Sequence, residues 1–246
     1  LLPSPSGGIH IEVVKTGIGD FDHLFAGGGY PKGNTILVIG GPGSGKSIFG
    51  MQYIYKGAKE HGEPGVYVTL DETPEKLRKN ISSFGWDIKA LEDEGKVVIL
   101  DAISARVGVE SREAHRIQAG LDLDAILSQI VSAIEKVNAT RLVIDSLAVM
   151  NLYSQSEFSA RTNMLRMSNL LSLADLTTLV ITEAKTAEVG LTEFPSEAFM
   201  FDGVITLRLD AESQERRISI IKMRGTKHVI GTYRFEIAEN GISVIP

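Results

Sequence analysis

From Gly40 to Ser47 the chain reads Gly-Gly-Pro-Gly-Ser-Gly-Lys-Ser, which satisfies G-x-x-x-x-G-K-[ST] at every fixed position. An apolar run, Thr35 to Gly40, leads into it, and apolar residues at three- and four-residue spacing follow it, so the loop sits between an expected strand and an expected helix. Polyphosphates need a dense set of donors. Glycines let the backbone curl so that its N–H groups point inward, where side chains would block an anion. The amides of Gly43, Ser44, Gly45, Lys46, Ser47 and Ile48 are therefore read as a phosphate cradle, reinforced by the positive end of the helix that follows. Lys46 reaches the outer phosphates, and the Ser47 hydroxyl is offered to Mg²⁺. The chemistry is that of a nucleoside di- or triphosphate. A glycine-rich turn with an incidental lysine is the competing reading, and it leaves the strand and helix context unexplained.

Such a cradle needs a metal partner and a base. Asp145 ends the apolar run "RLVID", which puts an acid at the carboxyl edge of the sheet, where ligands of open α/β sheets gather. It is the candidate for the Mg²⁺ shell, with capping of the next helix as the alternative. After a second strand comes "LDETP", with adjacent carboxylates Asp71 and Glu72. One of them could take the proton of a water attacking the γ-phosphate. Side-chain alternation lets only one of the pair face a nucleotide, and both could instead simply favour the amino end of a helix.

The elements that must position these groups follow an α/β rhythm. Thr35 to Gly40, Gly65 to Leu70, Lys96 to Asp101, Arg141 to Asp145 and Thr177 to Thr182 are continuously apolar, as strands covered on both faces are. Helical spacing runs through Lys46 to His61, Pro74 to Phe84, Asp122 to Asn138 and Glu157 to Ala174, with Thr73–Pro74 and Asp122 as expected helix starts. The last stretches, "GVITLRLD", "RRISIIKMRG", "TYRFEIA" and "GISVIP", are short and closely spaced, as in an antiparallel edge of hairpins. No repeat or linker divides the 246 residues, so one domain over 1–246 is expected, with 1–12 as an extended lead.

Composition narrows the class. A net charge of −6 gives no general attraction to polyanions. With no cysteine, disulfides, thiolate metal sites and a Cys nucleophile are excluded. No apolar run approaches the roughly 18–20 residues that cross a bilayer, and "LLPSPSGG" lacks the flank and length of a signal peptide. A soluble, cytoplasmic protein without membrane contact is the expectation. The chain opens on Leu rather than Met, so an upstream segment is expected too.

Taken together, "TGIGDFDHLFAGGGYPKGN", "GGPGSGKS", "YVTLDETP", "SFGWDIKALEDEGKVVILDA", "RLVIDS" and "KMRGTKHVIGTYRFEI" resemble the RecA-like ATPases, and most closely the single-domain, archaeal-type members of the KaiC-like branch. The resemblance implies a RecA-like P-loop fold, with a mostly parallel central sheet flanked by helices and a C-terminal antiparallel extension. It implies ATP as ligand, ADP as product, Mg²⁺, and a homohexameric ring with nucleotide at subunit boundaries. It maps the hydrolytic pair onto Asp71 and Glu72. The first of these is usually Glu in the family, so Asp71 is one methylene short, which shifts the base role toward Glu72 or slows turnover. It also maps a trans-acting segment onto "KMRGTKH": Lys222 and Arg224 reach the neighbour's γ-phosphate, with Thr226 and His228 nearby. Met223, Glu239 and Ser83 match further nucleotide contacts. By spacing alone, Lys222 and Arg224 read rather as the solvated face of a strand.

Three functions are weighed on these residues: a slow ATPase, a recombinase-like DNA-dependent ATPase, and a nucleotide-gated scaffold that signals to a protein partner with negligible turnover. DNA would enter near 151–163 and 184–200, where Arg161 and Lys185 are outnumbered by Glu157, Glu188, Glu193 and Glu197. Clustered cations are missing there, and DNA is disfavoured. Arg112, His115 and Arg116 form the best small basic cluster. The clock protein of the family phosphorylates itself on adjacent Ser and Thr, where this chain has Ala198 and Phe199, so an autokinase of that kind is not expected.

Overall fold

The computed structural model describes residues 11–104, 113–116, 123–147, 162, 165–169, 171, 175–184, 196–210 and 212–245. Strands β1 (Val13–Val14) and β2 (Tyr30–Pro31) form a small antiparallel pair. The main sheet holds β3 (Thr35–Gly40), β4 (Gly65–Thr69), β5 (Val97–Asp101), β6 (Arg141–Asp145), β7 (Thr177–Glu183), β8 (Gly203–Leu209), β9 (Arg216–Met223), β10 (Thr232–Ala238) and β11 (Gly241–Ile245). Its nine strands run in the order β11-β10-β9-β8-β3-β7-β6-β4-β5. Helices α1 (Lys46–Glu60), α2 (Pro74–Ser82), α3 (Ile88–Asp93) and α4 (Leu123–Val137) accompany it. This is the α/β, RecA-like arrangement that the sequence implies.

Two departures are informative. The first of the four C-terminal strands, β8, is parallel to β3, and only β9 to β11 run antiparallel. Its residues alternate little because it is an interior strand, buried from Gly203 to Leu207. Helix α3 falls in a stretch for which no helix was read. Six residues are too few to display a helical period, and the Asp87 side chain that caps it, accepting from Ala90 N at 3.0 Å, is the only local sign. By contrast, α2 starts as read: the Thr73 side chain accepts from Lys76 N and Pro74 occupies the first turn. Of the helix expected over 157–174, the described residues 162, 165–169 and 171 are helical; the Asp122 cap, most of the 1–12 lead and most of 151–163 and 184–200 lie outside the described residues.

Alternation along the buried strands splits the core into two layers. Val38, Tyr67, Val143 and Ile181 face Phe49, Tyr53 and Ile54 of α1, while Leu37, Val68, Ile144 and Val180 share the other face with Ile126, Ile130 and Ala133 of α4. Helix α1 lies close against the sheet because Gly50 and Gly57 face it. A Cβ on Gly50 would sit 2.9 Å from Ile181 Cδ1, and one on Gly57 would overlap the Arg141 guanidinium. Arg141 is fully buried and fixed: Nε donates to Glu63 at 2.7 Å, Nη1 donates to Tyr53 O at 2.9 Å, and the guanidinium stacks 4.4 Å from the Tyr53 ring centre. The α1 helix that carries the glycine loop is thus clamped from below. Gly57→Ala should lower unfolding stability by about 1–3 kcal/mol in denaturant titration, because the added methyl must displace a charge that has no other buried partner set.

Candidate nucleotide site

The glycine loop spans the gap between β3 and α1, at the carboxyl end of the parallel strands. Gly43 and Gly45 take the positive φ values of 72° and 92° that the tight reversal requires. Gly45 also backs onto the Ile237 side chain, 3.0 Å from where a Cβ would stand. Ser44 is buried and its hydroxyl donates to Gly41 O at 2.8 Å, so it shapes the loop. Lys46 Nζ donates to the same carbonyl at 2.8 Å. Burial lowers the pKa of this ammonium, and Glu183, Asp145 and Asp71 face it from the neighbouring strand ends and pull the other way. Ile48 is half-buried in the first turn of α1, against the core.

Strand register assembles the acids. Gly40 pairs with Glu183 of β7, Ile181 with Asp145 of β6, and Asp145 with Thr69 of β4, so the strand ends form one row. Asp71 and Glu72 leave β4 at this level. Asp145 Oδ2 accepts from Tyr67 Oη at 2.5 Å. Burial raises its pKa, and hydrogen bonds from Tyr67 and Ser47 oppose that. Glu72 is half-buried: its Oε2 accepts from Asn80 Nδ2 of α2 at 3.1 Å and its backbone carbonyl accepts from Thr69 Oγ1 at 2.5 Å. Its pKa is raised, chiefly by burial, with Lys76 acting against this and Asp145 and Asp71 with it. Asp71 is exposed. The chemistry here is a cation and a hydroxyl facing a row of carboxylates, two of which, Asp145 and Glu72, are held above the ordinary carboxylate range.

The remaining candidates divide between the two ends of the sheet. Ser83 caps the end of α2, with Oγ donating to Asn80 O at 3.1 Å, and the Phe84 and Trp86 rings that follow lie 4.9 Å apart. Trp86 abuts Gly241, in the β10–β11 turn that also carries Glu239. Because β10 pairs Phe235 with Arg216, and Arg216 Nε donates to Gly43 O at 3.3 Å, this turn is at the glycine-loop end. The other group is at the far end. Met223 pairs with Gly203, and Gly203 with Ile36, so Met223 is level with the start of β3. From there to Gly40 is four residues, roughly 13 Å of strand. Lys222 Nζ donates to Phe201 O at 2.6 Å, and burial and then Arg224 lower its pKa. Arg224 Nη1 donates to Asp202 Oδ1 at 3.3 Å, while Asp202 Oδ2 accepts from Thr35 N at 3.0 Å. Thr226 and His228 follow, the latter bridged to Phe25.

Several residues at the site were not read from the sequence. Tyr67 is hidden inside an apolar run, Glu183 extends a strand by one residue, Asn80 is one polar residue on an exposed helix face, and Arg216 and Asp202 come in from distant strands. Of these, Tyr67, together with Ser47, explains how the Asp145 carboxylate is kept in a buried position.

Because the raised pKa of Asp145 means that the folded chain holds a proton where the unfolded chain does not, its contribution to stability falls as pH rises from the ordinary aspartate range through the raised native value. Asp145→Asn keeps an acceptor for Tyr67 and removes that loss. In nucleotide-free protein at neutral pH it should raise the melting temperature, and calorimetry across pH should show the gain vanishing in acid.

Comparison with known proteins agrees with this geometry. The family model described as "ATPase: KaiC" matches residues 14–246. The circadian clock oscillator protein KaiC of Parathermosynechococcus lividus is 38% identical over 239 residues, 96% of this chain and 43% of the relative. The chain thus spans less than half the length of that relative. A UPF0273 protein of Pyrococcus furiosus is 37% identical over 96% of this chain and 95% of its own length. The crystal structure of a KaiC-like protein from Pyrococcus horikoshii OT3 superposes with a TM-score of 0.81 at 39% identity, covering 96% of this chain and all of that one. With the family model spanning residues 14–246 and a full-length relative 37% identical, the chain belongs to the KaiC family of ATPases.

Proposed function

We propose that this protein binds Mg·ATP at the glycine loop and hydrolyses it slowly at the boundaries between identical subunits, arranged in a ring of six. One observation carries the reading: in a single chain the Lys222–His228 group and the glycine loop are at opposite ends of the sheet, too far apart to meet on one nucleotide. A head-to-tail repeat brings the far end of one copy to the loop end of the next, and such repeats close into rings. Two cations delivered to developing phosphate charge then complete a site that no lone chain possesses. Ligand that binds only the assembled site also stabilises the assembly.

Within one subunit, the amides of Gly43 to Ile48 and Lys46 hold the phosphate tail. Ser83 and Glu239, brought to the same end as the loop, border the nucleoside side. Ser47 and Asp145 fit Mg²⁺: a hydroxyl and a carboxylate that interact at the loop end of the sheet are hard oxygen donors, which suit that ion. When bound, Mg²⁺ would neutralise charge on the phosphates. Glu72 accepts the proton of the attacking water, held by Asn80 and kept basic by burial. Asp71, exposed beside it, faces Lys46 and tunes the field. Lys222 and Arg224 leave Phe201 and Asp202 for the neighbour's phosphates, with Met223, Thr226 and His228 lining the same border.

Two measurements test this. Lys46→Ala lacks a working loop and Arg224→Ala lacks the trans cation, so each alone should lose phosphate release by about 10²-fold. Mixed in equal amounts, they should regain activity at about a quarter of the sites, as head-to-tail pairing at random allows. A mixture as inactive as its components sinks the shared site, and light scattering with and without Mg·ATP reports ring formation separately. Phosphate release should also rise with pH through the raised Glu72 value, since the base works only when ionised. Glu72→Gln should abolish release, and a wild type no faster than this variant would leave a scaffold and not an enzyme.

A further inference from the structure

Edge strand β5 is flanked at its carboxyl end, on the side away from β4, by residues 113–116. Asp101 N donates to His115 O at 3.0 Å, and Asp101 bridges Arg116 in parallel. Between this segment and α4 lies a cavity of about 380 Å³. Small-molecule sites typically begin at about 300 Å³. Three strands, β7, β6 and β4, separate β5 from β3, so the cavity is distinct from the nucleotide site.

Its lining is basic and donor-rich. His115 and Arg116 come from the segment, and Gln129, Ser132 and Lys136 come from α4, where spacings of three and four residues put them on one stripe. Among the described lining residues the acid is Glu113, and Arg78 of α2 engages both of its oxygens, through Nη1 at 2.7 Å and Nη2 at 2.9 Å. Arg78 is in turn fixed by a second fork to Glu92, through Nε at 2.8 Å and Nη2 at 2.7 Å. Glu113 is therefore committed to a guanidinium outside the cavity lining. Across the cavity Lys136 Nζ lies 3.1 Å from His115 Nε2, and among the described residues no carboxylate forms an ion pair with Lys136. Lys136 and His115 in hydrogen-bond contact, with Arg116, whose Nη1 donates to Glu113 O at 3.3 Å, on the same wall, concentrate positive charge and donors around the cavity.

The geometry points to a second anion site on this chain, in which His115, Arg116 and Lys136 bind a dianionic phosphoryl group while Gln129 and Ser132 donate to its remaining oxygens. Phosphate offers charge and several acceptor oxygens to such converging donors. The group can come from free inorganic phosphate or from a small phosphate monoester, which share this chemistry. Protonation is linked to occupancy. Burial, and then Lys136, lower the His115 pKa, against Glu92 from α3 and Glu113 from its own segment, whose charge Arg78 of α2 shares; Arg116 adds a further cation. A bound dianion reverses that balance, draws a proton onto the imidazole, and makes affinity rise as pH falls through the histidine range.

The test is side-chain NMR of the histidines in the full chain, with His115 assigned by the signal lost in His115→Gln. Titration with inorganic phosphate at constant ionic strength should shift the His115 signal saturably and raise its titration midpoint relative to chloride. Lys136→Ala should weaken that response at least tenfold while leaving ATP turnover intact. A parallel titration with ribose 5-phosphate separates the sources: binding at least tenfold tighter than inorganic phosphate assigns the site to a phosphate monoester, and equal binding assigns it to the free ion. No saturable shift with either probe, or a response unchanged by Lys136→Ala, overturns the proposal.

Discussion

The reversal of chain direction between β8 and β9 governs how the rest of the molecule can work. Up to β8 the chain returns to the same end of the sheet before each strand, and every parallel strand delivers its last residue to one edge, where Gly40, Glu183, Asp145 and Thr69 line up. After β8 a tight turn sends β9 back, and the residues that follow it emerge at the opposite edge. A single hairpin therefore decides that Lys222 and Arg224 face away from the glycine loop. Nothing local to Lys222 or Arg224 requires this; it is a property of sheet topology.

Burial of charge is the second constraint. Asp145 ends β6 in an environment that disfavours its ionised form, and Tyr67 and Ser47 are the compensation. Arg141, at the other end of the same strand, is compensated by Glu63 and the Tyr53 carbonyl and ring. Both partner sets lie on β4, on α1 or just beyond it. Strand β6 is consequently locked at its two ends to the elements that carry the glycine loop and the Asp71–Glu72 pair. Residues far apart in the chain are brought into fixed register by the need to keep two buried ions satisfied.

Much of the fold was legible because its strands are apolar on both faces and its longest helices carry clear periods. The limits of β3 and β6 match the apolar runs residue for residue, and β4, β5 and β7 differ by a single residue at one end. Helix α3 was missed because a single capping aspartate is too weak a mark, and β8 was grouped with the antiparallel strands because pairing direction leaves no trace in composition. At the site, the glycine loop and the acids at strand ends announce themselves by residue type. Tyr67, Asn80, Glu183 and Asp202 do not, since what matters about them is which neighbour they touch. The allocation of Glu239 to the loop end and of Lys222 to the far end follows from register and is absent from spacing.

Lys46 has an acceptor of its own within the loop: its ammonium is lodged against the Gly41 carbonyl, half out of water. That oxygen acts as an internal surrogate for a phosphate oxygen. On the proposed reading, departure of a nucleotide would hand the cation from one acceptor to another and never strand it bare, sparing product escape the full desolvation cost of a lone buried charge. The same surrogate would then compete with an arriving phosphate, trading tight capture for release.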